Sequence, residues 1–345
     1  MAYRILQIGE FETPQYDEAI AHGFEELGHE VYRFKHFDYI RPVKIFDRIQ
    51  NRLLSGPNYW RLWNDILSVA EEFKPHIVYY RRPNELPPHI LTRLRSISHS
   101  ILVSYQNDDP FGPDIDKHWF KNFHKNISYF DIHFTFRELN IEDYRRSGAK
   151  NVQVLLPYYV SEMHHPSVLT EEEMVHLRSD ALFIGHGESD NRLEAFDKLI
   201  EADLSLTLGG SGFEKYAKGR PHEKLLPTKY FGKEIYSKAL QSANCALCFF
   251  SKRNRDVMTT RVFEIPACKG VLVAERNETV KRFFEDKKEA FFFSSTSELI
   301  EIVKLLKRDK NLRNDIALRG HNRLLAQNHE AVDRARQIIT AIETL

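Results

Sequence analysis

The stretch Asn254-Arg-Asp-Val-Met-Thr-Thr-Arg-Val-Phe-Glu-Ile-Pro-Ala-Cys-Lys-Gly-Val-Leu-Val-Ala-Glu275 decides how the chain folds. Before it runs an apolar segment, Cys245 to Phe250, which reads as a buried strand. A basic, polar loop follows, and a short helical segment starts at about Thr259. Gly270 closes that segment, and Val271 to Ala274 form a second apolar run. Strand, helix and strand in this order make a βαβ unit, the repeating piece of a parallel sheet. Its first turn is unusually charged. Helix starts attract anions because free N–H groups and the helix dipole point there. Thr259, Thr260 and Arg261 would present two hydroxyls and a guanidinium at that start, and arginine suits forked contacts to phosphate. Glu264 lies one turn further in, where it can reach a ribose diol. Together these residues suit a nucleoside diphosphate.

Arg261-Val-Phe-Glu-Ile-Pro-Ala-Cys-Lys-Gly-Val-Leu-Val-Ala-Glu275 resembles the signature of the spore-maturation-protein-like glycosyltransferases. The resemblance covers about residues 180–308. It implies an α/β chain of the GT-B fold, with two Rossmann-like domains facing across a cleft. The wider retaining GT-B clan carries a Glu-x7-Glu motif whose second acid holds the donor ribose and whose first lies near the sugar. Glu264 matches the second acid. Asp256, eight residues earlier, keeps an acid at the first position but shortens it. The family usually has Gly where Lys269 stands.

The rest of the second half repeats the strand–helix alternation. Ala181 to Ile184 reads as a strand, followed by Gly185-His-Gly-Glu-Ser-Asp-Asn-Arg192 and a helix to about Glu201. The resemblance implies that Arg192 faces the donor phosphates. Leu204 to Leu208 is the next strand, ending in Gly209-Gly-Ser-Gly212, where Gly210 fits close approach by the donor. Lys229-Tyr-Phe-Gly-Lys-Glu234 matches a turn that borders the nucleobase in the clan, which makes Tyr230 and Gly232 base-site candidates. Arg253 and Arg255 are further phosphate candidates.

The first half also opens βαβ. Tyr3 to Ile8 is a strand, Asp17 to Leu27 a helix and Val31 to Phe34 a second strand. In doubly wound sheets, ligands sit beyond the carboxyl ends of the strands. Three loops fall there: the one starting at Gly9, Arg81-Arg-Pro-Asn-Glu85 after the strand Ile77 to Tyr80, and Gln106-Asn-Asp-Asp-Pro-Phe-Gly-Pro113 after Ile101 to Tyr105. By the GT-B resemblance they line the acceptor side, with Gly9, Arg81 and Asn84 as cleft residues. Asp108 and Asp109 are the candidates for handling the acceptor hydroxyl, although Asn-Asp-Asp-Pro is also good turn chemistry. The catalytic His that many clan members carry in this loop has no counterpart here. Residues 36–60 mix basic and aromatic side chains, which suits acceptor recognition, peripheral contact with a membrane surface, or an amphipathic helix with a solvated face. Pro157 to Pro166 reads as the interdomain connection, with His164 and His165 as polar linker residues.

The length of 345 residues allows two cores. The expected domains are 1–160 for the acceptor, 161–328 for the donor, and a C-terminal helix over 329–345 that crosses back to the first. Lys and Arg number 49, as do Asp and Glu, so no overall positive charge recommends a nucleic-acid partner. No secretory leader or membrane-spanning run stands out, and a cytoplasmic location is expected. Cys245, Cys248 and Cys268 read as buried thiols rather than a redox or zinc pair.

These readings converge on a metal-independent glycosyltransferase, retaining by clan resemblance. It would need no tightly bound cofactor and would use a UDP-, GDP- or dTDP-sugar as donor and a glycan, protein or small molecule as acceptor. Two alternatives stay open. A GT-B nucleotide-sugar epimerase would convert the donor without an acceptor. A non-catalytic nucleotide-sugar binder would bind without turnover.

Overall fold

The computed structural model describes residues 2–345; Met1, where the expected first domain starts, lies outside them. The chain forms two compact units. One holds the chain up to Leu156 together with Ala331–Leu345, and the other holds Pro157–Glu330. Pro157 to Pro166 therefore belongs to the second unit, and the connection is shorter than the sequence suggests.

The strands of the first unit are β1 (Arg4–Gly9), β2 (Glu30–Lys35), β3 (Ile77–Arg81), β4 (Ile101–Gln106), β5 (Ile132–Thr135) and β6 (Val152–Val154). Its helices are α1 (Ala19–Glu26), α2 (Phe37–Ile40), α3 (Ile45–Leu53), α4 (Pro57–Phe73), α5 (Pro88–Ser98), α6 (Lys121–Asn126) and α7 (Asn140–Arg146). The second unit contains β7 (Ala181–His186), β8 (Leu206–Ser211), β9 (Ala246–Cys248), β10 (Leu272–Glu275) and β11 (Phe291–Phe293). Around them lie α8 (Glu171–Leu177), α9 (Asn191–Glu201), α10 (Lys233–Ser242), α11 (Arg261–Ala267), α12 (Thr296–Arg308) and α13 (Lys310–Leu325). The last helix, α14 (Ala331–Glu343), returns to the first unit.

Every strand pair is parallel. The first sheet runs β2-β1-β3-β4-β5-β6 and the second β11-β10-β9-β7-β8. Parallel sheets need helices on both faces, so their inner strands are apolar throughout rather than alternating. All five residues of β3 and all three of β9 are buried. Each sheet reverses direction once, between β1 and β3 and between β7 and β9. Those two places are the topological switch points, where doubly wound sheets open a crevice at their carboxyl edge.

Local chemistry sets several boundaries. The expected strand over Tyr129–Phe136 shortens to β5. Asp131 accepts the Leu102 amide at 2.8 Å and pairs with Arg95 at 2.9 Å, so its carboxylate marks the strand's start. Helix α14 lies against α1, where a Cβ on Gly23 would stand 3.0 Å from both Ala335 Cβ and the Val332 backbone. Arg334 and Gln337 then donate to the carbonyls of Leu156 and Val154, at 3.0 and 2.9 Å. The three cysteines are free and buried, and burial pushes the Cys268 thiol up to about 12.

The end of α11 explains Lys269. Its φ is +56°, the left-handed conformation that lets the Gly270 amide reach back to the Ile265 carbonyl at 2.9 Å. Glycine is the usual residue at such a helix exit because it lacks the Cβ that clashes there. Lys269→Gly is therefore expected to stabilise the second unit by about 0.5–1 kcal/mol. Its thermal midpoint should rise by about 2 °C; a lower midpoint would refute the strain.

Candidate functional site

In the second unit the switch point lies between the ends of β7 and β9. β7 and β8 approach closely there: a Cβ on Gly210 would stand 1.9 Å from the Gly185 carbonyl oxygen, and Gly210 has a φ of +106°. The glycine is thus required by the neighbouring strand, whatever binds beyond it. The loop after β9 leads to Thr260, the residue before α11, whose side chain makes no capping hydrogen bond. Arg261 extends across this loop. Its Nε donates to the Ile184 carbonyl of β7, and its Nη1 donates to Thr259 Oγ1 at 3.3 Å. The structure therefore brings Thr259, Thr260, Arg261, Gly185 and Gly210 to one edge.

One turn along α11, Glu264 is only 3 % exposed. The Tyr236 hydroxyl donates to its Oε2 at 2.6 Å. Burial, and then the nearby Glu264 charge, raise the Tyr236 pKa well above its ordinary value, so the phenol keeps the proton it donates. On the other side, His164 Nε2 stands 3.9 Å from Glu264 Oε1 and has no hydrogen-bond partner among the described residues. His164 Nδ1 accepts the Val160 amide at 3.0 Å, and burial lowers the ring's pKa. The ring is therefore neutral, with its proton on Nε2 facing Glu264. Read from sequence as a linker residue, His164 is instead 2 % exposed and packs edge-on against Tyr236. Neither His164 nor Tyr236 has a fixed spacing to Glu264 that could have revealed the pairing.

The base-site candidates lie at the start of α10. Gly232 accepts the amides of Ile235 and Tyr236, at 3.0 and 2.9 Å, and so belongs to the element that carries Tyr236. Tyr230 is 91 % exposed.

Arg192, expected at the donor phosphates, is enclosed by acids and a carbonyl. It is 3 % exposed; its guanidinium bonds Asp190 twice at 2.8 Å and the His186 carbonyl at 2.8 Å, and it lies 3.5 Å from Glu188. A buried cation compensated in this way holds the loop after β7, and we assign it that task. Asp256 lines a cavity of about 560 Å³ at the ends of β9, β10 and β11, together with Asn191, Lys252 and Glu275. Glu275 is fully engaged there, by Lys252 at 2.9 Å, Asn191 at 2.8 Å and the Phe250 amide at 2.7 Å. Glu264 is not part of that cavity's wall. Arg255 is partly buried in the same loop, with a φ of +49°.

In the first unit, Gly9 and Arg81 meet at the β1–β3 switch point through a residue that sequence reading passed over, Asp17. The Asp17 carboxylate accepts Arg81 Nε at 2.9 Å and Nη2 at 2.8 Å, and takes the Glu10 amide at 2.9 Å. A Cβ on Gly9 would stand 2.4 Å from that carboxylate. Both charges are at least nine-tenths buried, so Arg81 is a pillar of the crevice wall. Asn84 is fully buried; its side-chain oxygen receives Gln106 Nε2 at 3.4 Å, and its Nδ2 has no partner among the described residues. The two neighbouring aspartates separate. Asp109 is fully buried and accepts Asn140 Nδ2 at 2.8 Å and the Phe111 amide at 3.0 Å, which makes it the structural member of the turn. Asp108 is partly exposed and faces Arg82 Nε at 3.2 Å. Among the described residues, no group of three or more His, Cys, Asp or Glu is placed to hold a metal ion.

Residues 192–340 match the model of the glycosyl transferase-like family, a match that does not single out the spore-maturation-protein-like group. No curated protein matches the sequence. Solved structures share the fold over nearly the whole chain. Anabaena HepE, in complex with UDP and glucose, is 12 % identical with a TM-score of 0.66, over 99 % of this chain and 100 % of that one. Sucrose-phosphate synthase from Thermosynechococcus elongatus is 11 % identical with a TM-score of 0.72, over 99 % and 98 %. A glycosyltransferase from Rickettsia africae is 13 % identical with a TM-score of 0.63, over 99 % and 97 %. The chain thus has the GT-B fold, and its residues 192–340 are similar to the glycosyl transferase-like family.

Proposed function

We propose that the chain transfers a glycosyl group from a nucleoside-diphosphate sugar, bound by the second unit, to an acceptor hydroxyl handled by the first. The carrying observation is the pairing on α11 of a partly exposed cation, Arg261, with a carboxylate one turn away whose orientation is set by Tyr236. A diphosphate needs the first and a ribose diol needs the second. That HepE, of the same fold, is seen with UDP and glucose and with UDP-glucose supports a donor of this class.

When the bond from the anomeric carbon to the diphosphate breaks, negative charge collects on the departing oxygen. Arg261 and the Thr259 and Thr260 hydroxyls are assigned to stabilise that charge, in place of a metal. Arg255 adds a further cation in the loop. Glu264 takes the ribose hydroxyls, with Tyr236 holding the carboxylate in place and His164 beside it. Asp256 is assigned to the sugar hydroxyls and Asp108 to the acceptor hydroxyl. Retention of configuration is the stereochemistry that the clan resemblance favours.

Calorimetric titration with UDP, GDP, dTDP and CDP in the presence of a chelator is expected to show binding of one of them; failure of all four would overturn the reading. Glu264→Gln keeps the side-chain volume and removes the charge, and should weaken that binding by about tenfold or more. Tyr236→Phe should weaken it by a smaller factor. Unchanged affinity in folded Glu264→Gln would remove Glu264 from the ribose. Asp108→Asn should lower kcat by about 100-fold or more with donor affinity intact, whereas Asp109→Asn should lower the melting midpoint instead. An equal loss of donor binding and turnover in Asp108→Asn would make Asp108 structural as well.

A further inference from the structure

Helix α3 presents its apolar side to solvent and its polar side to the protein. Ile45, Phe46, Ile49 and Leu53 are 73, 55, 50 and 64 % exposed. At 100° per residue they share an arc of about 100°. The opposite side is polar and bound. Asp47 accepts Asn58 Nδ2 at 3.0 Å and the Lys44 amide at 2.7 Å. Gln50, 2 % exposed, accepts the Asn58 amide at 2.8 Å, and Asn51 donates to the Ile40 carbonyl at 2.7 Å. An amphipathic helix on a water-facing surface has the reverse orientation. Isolated exposed apolar side chains are ordinary, but a contiguous stripe is not. Val43, just before the helix, and Trp60, at the start of α4, are also exposed, at 74 and 54 %.

The charges beside the stripe identify its partner. Arg48 and Arg52 follow the arc on one side, and Lys44 precedes the helix. Arg48 has no acidic partner among the described residues, and Arg52 faces Asp116 only at 3.9 Å with both side chains exposed. The helix's one acid, Asp47, is turned inward and occupied. Hydrocarbon for the stripe and anions for its rim are what a layer of acidic lipids offers. A two-fold contact with a second copy would set the same arginines near one another, a like-charge arrangement that opposes association. No described helix is long and apolar enough to cross a membrane, so the contact is peripheral.

We infer that α3 is a membrane-surface anchor that seats the first unit on anionic lipid through Ile45, Phe46, Ile49 and Leu53, with Lys44, Arg48 and Arg52 at the headgroups. The inference is independent of the donor chemistry.

Flotation of the full chain with vesicles tests it. Phosphatidylcholine vesicles with about a quarter phosphatidylglycerol should carry the protein at low salt, more weakly as salt rises, whereas pure phosphatidylcholine should carry little. Phe46→Glu with Ile49→Glu should lower the partition by about tenfold or more. Arg48→Glu with Arg52→Glu should lower it similarly on anionic vesicles alone. All four positions are exposed, so the circular dichroism melt should be unchanged. Absence of binding to anionic vesicles overturns the proposal, as does binding that neither pair of substitutions alters. A concentration-dependent dimer, abolished by Phe46→Glu and accompanied by no vesicle binding, would assign the stripe to a second copy instead.

Discussion

The second unit depends on one topological constraint: its parallel sheet grows first to one side of β7 and then to the other. Between β7 and β9 no helix can cover the carboxyl edge, because successive crossovers leave in opposite directions. The loops after these two strands must therefore meet over an open edge. The Gly185–Gly210 approach keeps β7 and β8 in contact up to that edge. Arg261 then reaches from the start of α11 to a β7 carbonyl and ties the two loops together. The first sheet has the same reversal at β1 and β3, where the Asp17–Arg81 pair occupies the corresponding place. Two halves without recognisable sequence repetition thus reach the same layout from the same alternation of strand and helix.

Burial divides the charged residues at these edges into two groups. A charge taken from water must be matched at once, and a matched charge has little left for a ligand. Arg192, Arg81 and Asp109 are matched within the fold. Arg261 and Asp108 keep part of their surface, and Glu264 is held by a neutral phenol rather than a cation. A tyrosine–glutamate–histidine trio is not specific by itself. The first unit has another, with the Tyr80 hydroxyl donating to Glu85 at 2.7 Å and His36 Nε2 at 3.9 Å from the same carboxylate. Glu264 differs in having the Arg261 guanidinium one helical turn away, at a switch point.

The same reasoning links α3 to the rest of the first unit. Its polar residues are used to fasten the helix to the start of α4 at Asn58 and to the end of α2. Fastening by hydrogen bonds leaves the apolar stripe no place in the core, and it remains outside. The strong periodicity of the segment is thus put to a purpose other than packing.

The sequence by itself determined the alternation of strands and helices, the parallel sheets, the position of the βαβ unit at Asn254–Glu275 and the family resemblance carried by Arg261 and Glu264. These follow from short-range periodicity and local spacing, which a chain displays without folding. Only the tertiary structure decided which charges are available. Asp108 and Asp109 are neighbours with the same side chain, yet one is partly exposed beside Arg82 and the other is buried and locked onto Asn140. Arg192 and Arg261 each stand at a helix start, yet the first is buried among acids and the second keeps part of its surface exposed. His164 and Tyr236 join Glu264 from far along the chain. The amphipathic pattern of α3 was legible, but its outward orientation was not, because periodicity defines a stripe and only packing against the body decides which way the stripe faces.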